Sequence, residues 1–311
     1  MKLKKMISLL RRFFTDRDSR VYYLSMLGCY DSLPDEKYLK QLYRCLMHKE
    51  LDLESPRTFN EKMQWLKLND HNPKYTGMVD KYEVKKYVAS VIGEKYIIPT
   101  LGVWDDPEKI DFDRLPDQFV LKCNHNSGLG ICICGDKDKL NIRKAKRELK
   151  KGLAQNYYLL WREWPYKNVK RRIIAEKYLT DGNSGDLMDY KFYCFSGRAE
   201  YVLVCTDRSS GSPKYYFFDR NWRFKRYNKW GIQAPEGFTI PKPRCMDEMF
   251  EIAERLSQNH LFIRVDLYCV NEKVYFGELT FYPNSGFDRN RLPEVERMFG
   301  SKVDLKLARG K

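Results

Sequence analysis

Two stretches of the chain carry side chains whose order suits chemistry on a phosphate. The first is FVLKCNHNSGLG, residues 119–130, where an apolar run ends near Lys122 and passes into a loop with glycines at 128 and 130. A lysine so placed has an ordered stem and a head that reaches beyond the strand. A glycine loop can bring its backbone close to an anion, because glycine takes positive φ and has no side chain in the way. Together they suit nucleotide phosphates. An ordinary hairpin with a lysine snorkelling to solvent has the same pattern, and no GxxxxGK[ST] phosphate loop occurs in the chain.

The second stretch is FIRVDLYCVNEKVYFGELTFYPNSGF, residues 262–287. Arg264 and Asp266 share a strand face by the period of two, Glu278 lies on the returning run, and Thr280 and Asn284 follow. A hairpin brings Asp266 and Glu278 together, and two carboxylates in an apolar setting repel unless a cation lies between them. Mg²⁺ is such a cation, since it binds through one or two carboxylates plus substrate phosphates. The plainer alternative is two exposed acids on an edge strand.

The elements that must position these groups follow from the pattern. Residues 1–70 read as mainly helical, through DEKYLKQLYRCLMHKELD and TFNEKMQWLKLND, and Thr58 with Glu61 has the spacing of a capping box. A further helix from Asp80 to Val91 stops at Gly93. FVLKC, GICIC and RRIIAEKYL read as strands, with one helical stretch, IRKAKRELKKGLAQNYYLLW, between the last two. DGNSGD is a turn-rich connector. Beyond it come hairpins turning at Ser196-Gly197, near Asp219 to Asn221, and at Asn271-Glu272, with a helix in MDEMFEIAERLSQNH. Helices first, then antiparallel hairpins, make an α+β protein. The expected division is an N-terminal helical region over 1–70, a small lobe over 71–178 and a large lobe over 179–311.

The chain has 311 residues, 43% hydrophobic and 32% charged, which suits a globular protein with room for two lobes. Its net charge of +15 favours an anionic partner. Nine cysteines, scattered and odd in number, read as free thiols of a cytoplasmic protein. No apolar run nears the ~20 residues that span a bilayer. At the N-terminus, Leu3, Met6, Ile7, Leu10, Phe13 and Phe14 share one helical face, with lysines and arginines mostly opposite. Such a helix docks on the protein's own core, or lies through residues 1–16 on an anionic membrane at its inner face.

Other candidates are weaker. Cys123, His125, Cys132 and Cys134 have none of the usual zinc spacings. His125, inside the loop, suits a phosphate or substrate contact better than a general base. WREWPY and the run from Trp222 to Trp230 hold aromatics that stack sugar rings or pack a core. The basic stretch from Ile142 to Lys151 has no accompanying nucleic-acid motif.

Taken in order, TFNEKMQWLKL, DKYEVKKYV, IGEKYIIP, FVLKCNHNSG, IIAEKYL, DYKFYCFSG, RVDLY and GELTFYPNSGF resemble the ATP-grasp superfamily, and more closely its TupA-like branch linked to bacterial surface polysaccharide synthesis. The resemblance implies an ATP-grasp fold with two lobes clamping ATP. It implies that Lys81 and Lys122 hold phosphates. The loop NHNSGLG, with Asn124, Ser127 and Gly128, closes over them. Glu176, Lys177, Tyr178 and Leu179 meet adenine, mainly by backbone contacts, and Asp181 or Asp186 takes the ribose hydroxyls. Lys191 resembles a basic residue near the γ-phosphate, Asp266 and Glu278 resemble Mg²⁺ ligands, and Arg264 a cation that steadies an acyl phosphate. Many relatives end the last hairpin E-x-N; here it reads Glu278-Leu279-Thr280, so Thr280 or Asn284 completes the metal site.

The expected function is ATP-dependent joining of an amine or amino acid to a carboxylate, that of a uronic acid or an amino acid, in surface polysaccharide synthesis, with ADP and phosphate released. A kinase of a sugar hydroxyl on the same fold, a glycosyltransferase using a nucleotide sugar and a nonenzymatic binder of acidic polymer are the rivals.

Overall fold

The computed structural model describes residues 13–180, 187–208 and 210–309. Most of the N-terminal stretch with its membrane question, together with Asp181 and Asp186, lies outside them. Among the described residues no helix is long and apolar enough to cross a membrane.

The first helices are α1 (Arg17–Met26), capped by Asp16, and α2 (Asp35–Met47). In α2, Tyr38, Leu39, Leu42 and Tyr43 recur at helical spacing and close a small core with Leu51. Helix α3 (Phe59–Asn69) starts in the capping box that its sequence predicts, with Thr58 and Glu61 each bonded to the other's backbone N–H. Helices α4 (Lys74–Val79) and α5 (Val84–Ile92) follow, and Gly93 ends α5 with φ of +105°.

A four-stranded antiparallel sheet comes next: β1 (Thr100–Trp104), β2 (Phe119–Cys123), β3 (Ile131–Cys134) and β4 (Ile173–Lys177), in the order β1-β4-β2-β3. Its core of Phe119, Leu121, Cys123, Ile173 and Ala175 packs against Leu149 of α6 (Ile142–Ala154). The run expected as one helix divides here, because Asn156 caps a second helix, α7 (Tyr157–Trp161), with its own side chain.

The larger sheet has six antiparallel strands in the order β10-β9-β5-β6-β7-β8. They are β5 (Asp189–Phe195), β6 (Arg198–Thr206), β7 (Lys214–Asp219), β8 (Phe224–Lys225), β9 (Phe262–Val270) and β10 (Lys273–Thr280). The three hairpins turn where their residues predict; Asn271 and Glu272, for example, take φ of 50° and 63°. Between and after these strands lie α8 (Lys229–Gln233), α9 (Met246–Ser257), α10 (Pro293–Ser301) and α11 (Lys306–Arg309). Helix α9 covers one face of the sheet, with Phe250 edge-on to Phe192 at 4.9 Å. On the other face Phe59 of α3 and Phe299 of α10 enclose Tyr193 and Phe195. They cover only one end of that face. Further along the same strands Lys191 and Asp266 meet a cleft rather than a core. The apolar residues of α3 to α5 join the core of the large sheet.

Candidate active site

The floor of the cleft is a row set by strand register. Lys191 pairs with Asp266 across β5 and β9, and Asp266 with Glu278 across β9 and β10. Gly277 lets the last pair form, since a Cβ there would stand 3.0 Å from the Asp266 carbonyl oxygen. Arg264, two residues before Asp266 on the same face, folds its guanidinium over the row. Its Nε donates to Asp266 Oδ1 at 2.6 Å, and its Nη2 reaches Asp266 Oδ2 at 2.7 Å, Glu278 Oε1 at 3.0 Å and Thr280 Oγ1 at 3.0 Å. Lys191 Nζ donates at 2.5 Å to both Asp189 and Asp266. Arg208 lies 3.4 Å from Asp189, so charges alternate along the floor.

The cation expected between Asp266 and Glu278 is thus supplied within the chain. Arg264 meets both carboxylates, and their closeness alone does not require a metal. Asp266 has both oxygens engaged. Glu278 has one; Oε2 is without a protein partner among the described residues, and the side chain is 38% exposed. Burial raises the Glu278 carboxyl, but Lys81, Arg264, Lys191 and Lys122 outweigh it and hold the pKa at about 2. Thr280 sits between Arg264 and Glu278, donating to the latter at 3.2 Å. Asn284 takes φ of 50° and exposes its side chain to the cleft.

The opposite wall holds Lys81 and Lys122, with Lys85 behind it. Lys122 Nζ lies 2.6 Å from Glu176 Oε2, and Lys85 Nζ, from α5, lies 2.7 Å from Glu176 Oε1. Lys81 donates to the Asn126 carbonyl oxygen at 2.5 Å. Burial lowers the Lys81 pKa, against the pull of Glu278. Glu176 is expected to offer backbone to a ligand, but its backbone is used within the sheet, between Val120 of β2 and Thr100 of β1. Its contribution is the carboxylate. Lys177 likewise pairs with Phe119 and donates its N–H to the Pro99 carbonyl oxygen at 3.0 Å. Tyr178 and Leu179 line the cleft beyond the strand pairing.

The loop after Lys122 is only partly open. Asn124 is fully buried, donating to the Lys170 carbonyl oxygen at 2.9 Å and accepting from the Arg172 N–H at 2.7 Å. Asn126 donates to the Gly152 carbonyl oxygen at 3.1 Å. His125 is 3% exposed, 3.1 Å from the Gln155 carbonyl oxygen. Asn124 and His125 therefore do not line the cleft, contrary to expectation. His125 and Asn126 reach carbonyls at the end of α6, whereas Asn124 bridges backbone groups ahead of β4. Burial pushes the His125 imidazole down to about 4, which keeps it neutral near pH 7. Ser127 and Gly128, with Gly128 at φ of +80°, do face the cleft.

Sequence reading missed Lys85, Asp189, Arg208 and Glu163. Asp189 was legible in principle, two residues from Lys191 on one strand face. Lys85 lies one turn beyond Lys81, but its partner is remote in sequence. Glu163 is buried at the cleft wall, where Ser285 Oγ donates to it at 2.5 Å. Burial pushes its carboxyl up to about 7, against the attraction of Lys67. Its neighbour Arg162, 1% exposed, is clamped by the Tyr30 and Asp31 carbonyl oxygens at 3.1 Å, so the N-terminal helices seat this segment. Of the tryptophans, Trp164 stacks on His71 and Trp222 on Phe218, whereas Trp230 lines the cleft.

The cleft measures about 1310 Å³, and its walls come from both sheets and the turn between α4 and α5: Lys81, Lys122 and Glu176 on one side, Lys191, Arg264, Asp266 and Glu278 on the other. The residues fit a hard divalent cation arriving with phosphates, because Glu278 and Asn284 offer oxygen atoms to the cleft and Asp266 adjoins them.

Two α+β lobes with cations on facing walls form a clamp. The chain belongs to the TupA-like ATP-grasp family, whose model matches residues 61–304, and its fold is ATP-grasp. No curated protein sequence matches it. Among solved structures it is similar to the D-alanine–D-alanine ligase of Bacillus anthracis complexed with ATP, at 15% identity and a TM-score of 0.45, over 75% of this chain and 67% of that one. The corresponding ligase of Helicobacter pylori gives 14% and 0.39, over 73% of this chain and 61% of that one. An L-amino acid ligase from Bacillus licheniformis gives 11% and 0.44, over 73% and 49%, so this chain spans about half of that protein.

Proposed function

We propose that the protein binds ATP with Mg²⁺ in this cleft and uses it to join a carboxylate to an amine. One observation carries the reading: Lys81 and Lys122 face one corner of the cleft with Lys85 behind it, and among the described residues the only carboxylate directly bonded to these lysines is Glu176. That corner holds an excess of positive charge at the lip of a cleft, and a polyphosphate is the ligand that balances it. Glu278, kept ionised, would hold the metal with Asp266 and either Thr280 or Asn284. The metal's part would be to neutralise phosphate charge. Tyr178 and Leu179 would meet the base, and Asp181 or Asp186 the ribose.

The reaction balances as two displacements. A carboxylate oxygen of the substrate attacks the γ-phosphorus, and ADP leaves. The amine nitrogen then attacks the carbonyl carbon of the acyl phosphate, phosphate leaves, and the nitrogen gives up a proton. The chain's own contribution is charge placed in advance: Lys122 and Lys81 toward the phosphates, Lys191 toward the transferring group and Arg264 toward the acyl phosphate. The resemblance of the ordered motifs to proteins of surface polysaccharide synthesis supports a uronic acid or amino acid as the carboxylate.

The test offers uronic acids and amino acids with Mg-ATP and amines, and identifies products by mass. ADP, phosphate and an amide are expected, with a hydroxamate when hydroxylamine is added. A phosphorylated hydroxyl stable to hydroxylamine would make the protein a kinase. Sugar transfer from a nucleotide sugar without ATP would sink the ligase reading.

A further inference from the structure

Lys85 does not line the cleft, yet it is tied to the group that does. Its ammonium is saturated: it donates to the Ile98 carbonyl oxygen at 2.9 Å and to Thr100 Oγ1 at 2.7 Å, and lies 2.7 Å from Glu176 Oε1. The opposite oxygen of the same carboxylate holds Lys122 at 2.6 Å, and Lys122 has no other side-chain partner among the described residues. Glu176 is 5% exposed.

A buried carboxylate with one lysine would form a neutral pair. The charge of Lys122 would then be spent on Glu176. Turning it toward an anion would leave that carboxylate buried and alone, which is costly. A second, immobile lysine changes both terms. With Lys85 anchored by a carbonyl and a hydroxyl, Glu176 keeps a partner when Lys122 leaves. The group of three carries one net positive charge, and the member at the cleft is the one held by a single side-chain partner. We propose that Lys85 is a positioning residue: it neutralises Glu176 from behind, and so leaves the charge of Lys122 available to phosphate in the cleft. This rests on the nucleotide-binding reading.

The experiment measures Mg-ATP affinity by calorimetry for the full chain and for Lys85→Met, Glu176→Gln and the double variant, with a thermal melt of each. Lys85→Met is expected to weaken binding by at least about tenfold, the weight of one charge-assisted contact. The double variant should recover to within about threefold of the parent, because the opposed charges leave together. A purely structural lysine would give losses that add. Should Lys85→Met not fold, the comparison is the double variant against Glu176→Gln alone. Equal affinities support action through Glu176, and a further loss overturns it. Parent protein that binds Mg-ATP while Lys85→Met binds it equally well overturns the positioning role only. Parent protein that does not bind Mg-ATP overturns the nucleotide reading beneath it.

Discussion

Ser285 and Glu163, far apart in sequence, meet at 2.5 Å on the wall of the cleft, and the hydroxyl donates to a carboxylate that is only 4% exposed. Burial pushes that carboxyl up to about 7. An acid whose folded pKa is raised favours the fold most below its unfolded value, and this contribution is lost as pH rises through the folded value. The window here runs from about 4 to about 7. The stability of the parent relative to Glu163→Gln should therefore fall across that window, by roughly 1–3 kcal/mol. Thermal melts of both proteins at stepped pH check it, and a flat difference would contradict the assignment.

Lys122→Ala should weaken Mg-ATP binding by at least about 1.5 kcal/mol, the size of a charge-assisted hydrogen bond. Calorimetry at fixed Mg²⁺ measures this. Unchanged affinity would remove Lys122 from the phosphate site and with it the reason for a lysine at the end of β2.

Asp266→Asn and Glu278→Gln should behave differently. Asp266 is bonded to both Arg264 and Lys191 and is 2% exposed, so removing its charge leaves two buried cations with one carboxylate each, Glu278 and Asp189, and should cost roughly 1–3 kcal/mol of stability. Glu278, half-exposed in the cleft, should lose turnover with little change in melting temperature. Denaturant titration beside a turnover assay separates the two; equal destabilisation would deny the distinction.

Gly152→Ala should destabilise the small lobe and disturb the loop after Lys122. A Cβ at position 152 would fall 2.6 Å from the Gly130 Cα and 2.7 Å from Cys123 Sγ, and backbone cannot yield as a side-chain tip does. Overpacking of this kind costs about 1–3 kcal/mol. Gly135→Ala, where a Cβ meets nothing within 4 Å, is the control and should melt like the parent.

Strand register makes the cleft floor legible in the sequence. A period of two and a turn at Asn271-Glu272 place Arg264, Asp266 and Glu278 together, and the capping residues of α3 place its start. What stayed hidden depends on contacts between remote segments. The spacing of Arg264 shows that it shares a face with Asp266, but not that its guanidinium bends back to become the cation between two acids. The loop's two asparagines and histidine look like ligands in sequence. They turn inward because carbonyls at the end of α6 and ahead of β4 need donors. Lys85 gives no sign of its role, since its meaning lies in Glu176, on a strand that reaches it only through the fold of the small lobe.

The anchoring of that loop limits how far it can reach. Asn126 is fixed through its side chain and its carbonyl, and Gly130 accepts a hydrogen bond from the Cys123 N–H at 3.1 Å. With both ends pinned, the free span between them is four virtual bonds of ~3.8 Å, so its tip can rise no more than roughly 7 Å. A flap of that size can cap a phosphate but cannot roof a cleft of about 1310 Å³. In the proposed reaction, shielding an acyl phosphate from water would then rest on the cleft walls themselves, Tyr178 and Trp230 among them, and not on this loop.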